Sequence, residues 1–501
     1  MINWWKKWTQ PNEQPKQEFK SISALFEQAK KSKDFVHYKI NNEHGSVWIS
    51  YIKTLVDTNM LQRDILPTIQ SNNKQSLEEI KGTVPIGNVK ITDDIEEIKK
   101  KLLGGSVIIQ VKDQSNKCVI IKAQSKSGRE VAAPEIEFSV LGPKEAFVES
   151  IDTNLHLIRK RIPSLQFTVK EMKVGTTSQT RVAVLYVEGI ANQENINTVL
   201  QRIDSIDFDH VTDSSFITQL IADDQNSPFP QLLDTERPDR VSAVLNEGKI
   251  AFVIDGSPQV LIGPTNFIEF FSSFEDYFLN WHIASAFRLI RMFSVFFSIF
   301  ATPVYVAVLT YHYELIPKDL VSTLVTSRSA IPFAPILEAL ILELAIELLR
   351  EAGARLPTKV GQTIGIVGGI VIGTASVEAG LTSNVLLIIV ALAALASFTT
   401  PVYKMGNTIR LIRFPFLLFA QIWGLLGIVL CFSFLLVHLL RLQSLGRPYL
   451  EPIFPPRIPD LKDTIIRLPF SSQSLRPLNL QTESTVRFKK KKAKKKKDID
   501  E

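Results

Sequence analysis

Cysteine is almost absent from this 501-residue chain, which has only Cys118 and Cys431. The two lie far apart, and Cys431 falls inside an apolar stretch where a structural disulfide is not expected. The chain is therefore not expected to be a secreted domain stabilised by disulfide bonds. Scarce cysteine suits a reducing compartment for any soluble part of the protein.

The short motifs that mark common enzyme classes are also missing. There is no Gly-Lys-Ser/Thr nucleotide-binding loop, no dinucleotide-type glycine pattern after a strand, no paired-cysteine motif and no His-Glu-x-x-His zinc helix. The seven histidines do not cluster at metal-ligand spacing. Ser/His/Asp sets stay open, because they assemble in space rather than in sequence. We predict no catalytic residue, no metal and no cofactor.

Excess positive charge is confined to one run of eight lysines, at 489–492 and 494–497. Without them, 49 basic residues stand against 51 acidic ones. The high pI therefore describes a tail, and we predict no nucleic-acid binding. An anionic lipid surface would attract such a tail by about 1 kcal/mol per lysine at best. Solubilising disorder is the alternative role.

Charge is missing from three long stretches near the C-terminal end: Met292–Thr310, Val360–Tyr403 apart from Glu378, and Phe414–Leu440. A helix needs about 20 apolar residues to cross about 30 Å of hydrocarbon. The second stretch is long enough for two crossings. These stretches predict an all-α, multi-span transmembrane domain with at least four spans.

A fourth stretch, Ile331–Arg350, is apolar but carries Glu338, Glu343 and Glu347. Lipid on all sides would cost about 2.5 kcal/mol or more per central carboxylate. We therefore expect this segment either to lie at the membrane interface or to face other protein. The number of spans is four or five, and the side of the tail depends on which it is. A cytoplasmic tail is the preferred arrangement.

Upstream, strand-period and helix-period segments alternate, which predicts an α/β soluble region. The predicted strands are Asp34–Ile40, Val47–Val56, Ser106–Val111, Lys117–Ala123, Leu165–Val174 and Arg181–Val187, and the predicted helices are Asp93–Leu103, Pro143–Arg161 and Asn192–Ile206. This rhythm fits two small α/β subdomains. The predicted division is a flexible N-terminus (1–20), subdomain 1 (21–125), subdomain 2 (126–226), a linker leading to the membrane (227–288), the transmembrane domain (289–441) and a C-terminal cytoplasmic tail (442–501).

Within the linker, Ala251–Ile262 consists of two apolar runs around Asp255, Gly256, Ser257 and Pro258. Turn residues between two strand-like runs predict a β-hairpin. A catalytic Asp and Ser at this place is the competing interpretation.

Several segments together resemble one family in the order in which they occur. They are GPKEAFVESIDTNLHLIRKRI (142–162), SPFPQLLDTERPDR (227–240), IDGSPQVLIGP (254–264), Glu275-Asp276-Tyr277, Ile331–Pro335, LREAGARLP (349–357), the glycine-rich span after Gly361, LKDTIIRLP (461–469) and Arg476-Pro477. This set is similar to the A-subunit of the GerA-type spore germination (germinant receptor) family. The signature residues are Pro228, Phe229, Pro230, Gln231, Thr235, Glu236, Arg237, Pro238, Asp239, Asp255, Gly256, Pro258, Asp276 and Tyr277.

The resemblance implies a receptor subunit in the inner membrane of a bacterial spore, with its soluble region in the cytoplasm. Expected partners are a transporter-like B-subunit, a lipoprotein C-subunit, membrane lipids and further copies of the same chain. The resemblance also implies that the copies form a germinant-gated ion channel and that the chain is not an enzyme. A secondary transporter, or a signalling subunit without a pore of its own, is the alternative.

Gly361, Gly365, Gly369 and Gly373 recur every four residues and so share one helix face. Small residues on one face let a neighbouring helix approach closely. The contact lies either within one subunit or between subunits around a pore. Polar Gln362 and Glu378 accompany this helix and are candidates for lining water.

Glu343, Glu347 and Glu351 also share a face, and a symmetric ring of carboxylates would favour cations. The competing role is local, because Glu347 and Glu351 are placed to pair with Arg350 and Arg355 at helical spacing.

Overall fold

The computed structural model describes residues 19–42, 45–70, 77–86, 89–111, 117–125, 134, 137, 139–355, 368–369, 373–457 and 459–488. Most of the predicted flexible N-terminus and the lysine run lie outside these ranges. So do Gly361, Gln362 and Gly365.

The first α/β unit is a five-stranded antiparallel sheet with helices on both faces. Its elements are α1 (Ile22–Ala29), β1 (Phe35–Asn42), β2 (Gly45–Ile52), α2 (Thr58–Met60), a π-helical turn (Leu61–Ile65), α3 (Leu66–Gln70), α4 (Leu77–Thr83), β3 (Val89–Thr92), α5 (Ile95–Leu102), β4 (Ser106–Gln110) and β5 (Cys118–Lys122). The strand order is β1-β2-β4-β5-β3. Both faces of β4 are buried, because α1 and α5 cover one side and α2 to α4 the other.

The second unit repeats this plan. Its elements are α6 (Ile151–Arg161), β6 (Phe167–Val174), β7 (Thr180–Val187), α7 (Gln193–Asp204), α8 (Ser214–Ile221), β8 (Leu233–Thr235), α9 (Pro238–Glu247), β9 (Ile250–Ile254) and β10 (Val260–Gly263). The strand order, β6-β7-β9-β10-β8, is that of the first sheet shifted by five. The predicted α/β region is therefore present, and its two halves share one topology.

The predicted linker at 227–288 is wrong for its first half. Ala251–Ile262 does form the predicted hairpin, with Val260 opposite Val253. However, β9 also pairs with β7, and β10 pairs with β8. The hairpin is thus the centre of the second sheet, which runs well past the predicted boundary at residue 226.

The helix predicted from Pro143 begins instead at Ile151, with Ser150 in the N-cap position. The backbone N–H of Ile151 donates to the carboxylate of Asp255 at 3.2 Å, and Phe147 N–H donates to the carbonyl of Glu236. These tertiary bonds hold the preceding residues away from helical geometry. Proline in a first turn is permitted but does not by itself start a helix.

The C-terminal half is mainly helical. Two short 3-10 helices (Phe267–Phe271 and Phe274–Tyr277) lead into α10 (Trp281–Tyr311), followed by a 3-10 turn (Tyr313–Leu315), α11 (Lys318–Arg328), α12 (Pro335–Arg355), α13 (Asn384–Ser397) and α14 (Tyr403–Arg441). Then come the short strands β11 (Gln443–Ser444) and β12 (Arg447–Pro448), α15 (Leu461–Thr464) and two 3-10 turns (Phe470–Ser472 and Leu478–Leu480).

Helix α14 doubles back at Gly424, which has φ 58° and ψ −137°. The rings of Phe419 and Phe434 are 6.4 Å apart. In a straight helix, residues 15 positions apart would be separated by about 22 Å. The predicted single crossing at Phe414–Leu440 is therefore wrong, because two antiparallel helices occupy it. A Cβ on Gly424 would meet the side chains of Tyr311 and His312, so both the backbone angles and the space require glycine.

By length and composition, two of the described helices could cross a membrane: α10 and α14. Helix α13 is apolar but only 14 residues long. The C-terminal segment after α14 returns to the second α/β unit, where Tyr449 and Leu450 join its core.

Candidate functional site: the junction between the second α/β unit and the helices

The first turns of α10 are anchored to the α/β side by a buried charge cluster around Asp276. Arg288 Nε donates to Asp276 Oδ2 at 3.0 Å, and Arg291 donates to both oxygens of the same carboxylate at 3.2 Å. Asp276 and Arg288 are 1% and 2% exposed. Ion pairs this deeply buried tolerate the loss of a partner poorly. The base of α10 is therefore held rigidly.

The C-terminal segment completes this cluster through Asp463, whose carboxylate accepts from the Tyr277 hydroxyl at 2.9 Å and from Arg288 at 3.3 Å. Ser285 Oγ also donates to the carbonyl of Arg467 at 3.1 Å. Burial raises the pKa of Asp463 and raises that of Tyr277 well above its usual value. The C-terminal segment is therefore bonded directly to the first turns of α10.

A second cluster lies at the start of α9, built from signature residues. Arg237 forms a forked ion pair with Asp239 at 3.1 and 2.7 Å, bonds to Ser139, and lies over the rings of Phe274 and Phe278. Arg237 is 2% exposed. Phe274 belongs to the 3-10 helix that precedes α10. This cluster therefore also contacts the segment that leads into α10.

The remaining signature residues of this stretch are also placed by local contacts. Thr235 donates to Glu137, which is also the ion-pair partner of Arg240. Pro238 is the first residue of α9, and the carbonyl of Glu236 accepts from Phe147. The competing interpretation of a catalytic Asp and Ser in the hairpin gains no support from these contacts: Asp255 accepts from the backbone of α6, and Gly256 forms the turn at φ 86°.

The two ends of the α14 hairpin meet the second sheet at the segment Ser227–Gln231. His438 lies 2.8 Å from the Ser227 hydroxyl, and Thr408 donates to the carbonyl of Pro228. The ring of Phe229 packs against His438 at 5.9 Å. The Pro230 carbonyl accepts from the hydroxyl of the fully buried Tyr449. This part of the signature is therefore the surface of the second unit on which the α14 hairpin packs.

Two further contacts join α14 and the residues that follow it to this surface. The Gln231 carbonyl accepts from Ser444 Oγ at 2.6 Å, and Lys404 pairs with Asp234. Burial raises the pKa of Asp234, although Lys404 opposes this shift. Pro258 stays in the hairpin turn of the sheet, apart from the helices.

Inside the helical part, Glu343 of α12 is buried and paired with Arg413 of α14. Thr302 of α10 donates to the same carboxylate at 3.0 Å, and Arg413 also donates to Ser298 at 2.8 Å. Three helices are thus tied together by one ion pair. Glu338 is likewise fully buried and accepts from Arg328 at 2.8 Å and from Ser383 N–H. Of the two expectations for this segment, these carboxylates fit the one in which it faces protein.

The other residues predicted to line a pore are not part of these buried ion pairs. Glu347 and Glu351 form the local pairs with Arg350 and Arg355 that helical spacing predicts. Glu378 is exposed. A Cβ on Gly369 would meet nothing within 4 Å, and one on Gly373 would touch only Leu387 at 3.8 Å.

Sequence reasoning missed the arginines of these clusters: Arg288, Arg291 and Arg413. A usable signal was available, because each stands within a few residues of the start of a charge-free stretch. Positive charge at that place is ordinarily assigned to the lipid headgroup region. Only the three-dimensional contacts show that these guanidinium groups point into protein.

Comparison with known proteins places this arrangement in a family. Residues 22–479 match the model of the Bacillus/Clostridium GerA spore germination protein family. The chain is 52% identical to spore germination protein GerQA of Bacillus cereus over 95% of both chains. It is 49% identical to spore germination protein GerIA of Bacillus cereus over 90% of this chain and 68% of that protein.

Among solved structures, the chain is similar to the N-terminal domain of the A subunit of the Bacillus megaterium spore germinant receptor GerK3, with 29% identity. That match covers 51% of this chain and 97% of the other, at a TM-score of 0.37. The family model covers both α/β units, the helices and most of the C-terminal segment, so the resemblance seen in the signature residues is confirmed. The chain belongs to the GerA spore germination protein family.

Proposed function

We propose that this chain is the A-subunit of a nutrient germinant receptor, and that several copies form a germinant-gated ion-conducting channel in the inner membrane of the spore. The single observation that supports a germination role is family membership over residues 22–479. The proposed partners are a transporter-like B-subunit and a lipoprotein C-subunit. The chain performs no catalysis in this proposal.

The membrane location rests on the length and apolar composition of α10 and on the apolar composition of the α14 hairpin. Many large apolar side chains on these helices are exposed, among them Phe293, Phe296, Leu426 and Phe434. Contiguous apolar surface of this kind is rare on soluble monomers. The α/β region and the C-terminal segment contact each other and so share one side, which we assign to the cytoplasm (spore core).

Assembly into a channel is supported by groups that one chain leaves uncovered. Glu378 is exposed on its helix, and a carboxylate facing lipid near the bilayer centre costs about 2.5–3.5 kcal/mol. Contact with water in a pore removes that cost. The open face at Gly369 would accept a helix of another copy at close range. We therefore assign the conduit to the glycine-rich helix together with Glu378.

Glu343 has a different role in this proposal from the one expected of an acidic ring. Its carboxylate is neutralised by Arg413 and sealed by Thr302, so it holds the bundle together rather than facing ions. Changing it would disturb folding and conduction at once. Glu378, which is exposed, is the cleaner probe of ion selectivity.

The test is cation flux from liposomes that contain this chain and its partner subunits, with nutrient added outside. Gly369→Leu is expected to reduce both assembly and flux, whereas Gly353→Leu, a glycine in open space at the end of α12, leaves both unchanged. Glu378→Gln is expected to lower cation selectivity, with the exposed Glu351→Gln as its control. A strictly monomeric chain in the working complex contradicts the proposal.

A secondary transporter, or a signalling subunit without its own pore, is the alternative. Flux that needs a coupled solute would favour the transporter. Nutrient-dependent germination with no conductance by this chain would favour the signalling subunit.

A further inference from the structure

A cavity of about 220 Å³ lies where three segments meet: the end of α9, the two 3-10 helices before α10, and the C-terminal segment 452–487. It is smaller than the roughly 300–1,000 Å³ of sites for drug-sized ligands, so any occupant is a small molecule. It is separate from the helices assigned above to conduction, and the inference below does not depend on the channel proposal.

The lining is strongly polar. Among the described side chains it contains four carboxylates and three basic groups, namely Glu247, Glu269, Asp460, Asp463, Lys249, Arg476 and Arg487. Each of the three basic groups already has an ion-pair or hydrogen-bond partner. Lys249 pairs with Glu269, Arg487 pairs with Glu247 at 2.7 Å, and Arg476 donates to the backbone carbonyls of Asn246, Ser484 and Val486.

Asp460 has no ion-pair partner among the described side chains. Within the described part of the chain, its two carboxylate oxygens accept from the backbone N–H groups of Leu478 and Asn479, at 2.9 and 3.0 Å. Burial raises the pKa of Asp460, and the two backbone N–H donors and the positive charge of Arg457 oppose that shift. A cation in the cavity would give this carboxylate a direct charged partner.

Among the described residues, two amide oxygens in the same lining also have no hydrogen-bond donor. Gln473 is 9% exposed, and its Oε1 has no hydrogen-bond partner, although its Nε2 donates to the carbonyl of Leu468 at 2.9 Å. Asn479 Oδ1 is likewise buried without a partner. A buried acceptor left without a donor is destabilising, because it has given up its hydrogen bonds to water. The cavity thus presents unused acceptors of both charged and neutral kinds.

We propose that this cavity binds a small molecule bearing an ammonium group, with Asp460 as the charged acceptor and Gln473 Oε1 and Asn479 Oδ1 as the neutral ones. An ammonium group offers up to three N–H donors and one positive charge, which matches these three acceptors. Within the described residues, no group of three His, Cys, Asp or Glu side chains could hold a metal ion.

The position of the cavity connects its occupant to α10. Tyr277 and Asp463 form part of the wall, and Asp463 bonds Arg288 in the first turns of that helix. An occupant would therefore stiffen or shift the same cluster that anchors α10. This makes the cavity a site for an effector of the receptor rather than for a reactant.

The experiment uses the full-length chain in nanodiscs of neutral lipid, with ethylammonium chloride as the probe and saturation-transfer NMR as the readout. Tetramethylammonium carries the same charge but has no N–H donors, and it is the matched control ligand. We expect saturable transfer to ethylammonium, at least about tenfold weaker binding of tetramethylammonium, and no competition from equimolar KCl.

Asp460→Asn should weaken ethylammonium binding by about tenfold or more, and Gln473→Met by roughly threefold. Asp207→Asn, an exposed carboxylate outside the cavity, is the control and should bind like the unchanged chain. Unchanged melting temperatures would show that the two cavity variants are folded. The proposal is overturned by an absence of saturation, by equal binding of tetramethylammonium, by displacement with KCl, or by a folded Asp460→Asn chain that binds normally.

Discussion

The two α/β units share one strand order but differ in what packs against them. In the first unit, the cores on both faces of the sheet are built from residues of that unit plus Leu165. In the second unit, one face also buries Met405, Ile409 and Leu439 of the α14 hairpin together with Tyr449. The first sheet is therefore covered by residues of its own unit, whereas the second sheet also packs against the helices.

The charges follow the same division. Asp34 and Arg159, which are 2% exposed each, join the two units at 2.6 Å, with Ser32 bonded to both. Ion pairs of the second unit instead reach forward, from Asp234 to Lys404 of α14 and from Glu247 to Arg487 of the C-terminal segment. Movement in the first unit can therefore reach the helices through the second.

The largest expected effect comes from cutting the link between the units. Arg159→Met leaves the buried carboxylate of Asp34 unpaired, and we expect a loss of about 3–5 kcal/mol in the free energy of unfolding. Urea titration of the detergent-solubilised chain, followed by protease sensitivity of the α/β region, measures it. Lys31→Met breaks the exposed Lys31–Glu188 pair between the same units and should cost about 0–1 kcal/mol. Equal losses of stability in the two variants would mean that the buried Asp34–Arg159 pair is not the main link between the two units.

A smaller effect is expected at the base of α10. Asp276→Asn removes the charge shared by Arg288 and Arg291, but Arg288 keeps Asp463 as a partner. The cost should therefore stay below the about 3–5 kcal/mol of a fully broken buried pair. We expect germinant-triggered cation release from spores to fall while the amount of protein in the membrane is kept. Normal release would show that this anchor does not carry the signal.

Tyr449→Phe should cost about 1 kcal/mol, because it removes one hydroxyl hydrogen bond to the Pro230 carbonyl and leaves the ring in place. The loss should appear as faster proteolysis between α14 and residue 457, with the first α/β unit unaffected. Faster cleavage in both units at once would contradict the independent closure of the first unit.

The docking of the C-terminal segment should depend on pH. Burial raises the pKa of Glu247, Asp460 and Asp463. The folded state holds these protons more tightly than the unfolded chain does, so this stabilisation is complete below the unfolded pKa of about 4 and is lost as the pH rises through the folded values. Protease cleavage of 459–480, corrected with a free peptide at each pH, should be slower at pH 5 than at pH 7.5. Asp463→Asn should reduce that difference.

The smallest effect is expected in the first sheet. Cys118 is fully buried in β5, and burial raises its pKa to about 12. At pH 8 roughly one thiol in ten thousand would be ionised, so iodoacetamide should leave Cys118 unmodified in the folded Cys431→Ser chain. Mass spectrometry checks this, and denaturant should restore labelling. Rapid labelling without denaturant would show that the first core opens easily.

Local pattern predicted most of the α/β region. The strands at Phe35–Asn42 and Thr180–Val187, and the helix at Gln193–Asp204 capped by Asn192, lie within a few residues of their predicted bounds. Alternation of apolar residues and capping signals are local properties, and they survive folding. The start of the helix at Ile151 was missed because contacts from Asp255 and Glu236, about 100 and 90 residues away in sequence, decide it.

The candidate site was predicted only in part. The signature around Arg237 and Asp276 marks the junction, yet nothing local indicates that Asp276 is bound by two arginines of α10. Glu343 was expected among ions and is instead paired with Arg413, 70 residues further along the chain. Long-range ion pairs leave no periodic trace in a sequence.

By itself, the sequence determined that an α/β region precedes a charge-poor helical region, and its ordered motifs determined the family. Those properties depend on residue type and spacing alone. Only the tertiary structure decided that the second unit seats the helices, that Gly424 reverses α14, and that buried arginines tie α10 to the C-terminal segment. Each of these follows from which distant groups meet once the chain is packed, because removing a charge or a backbone turn from water requires a specific partner at that place.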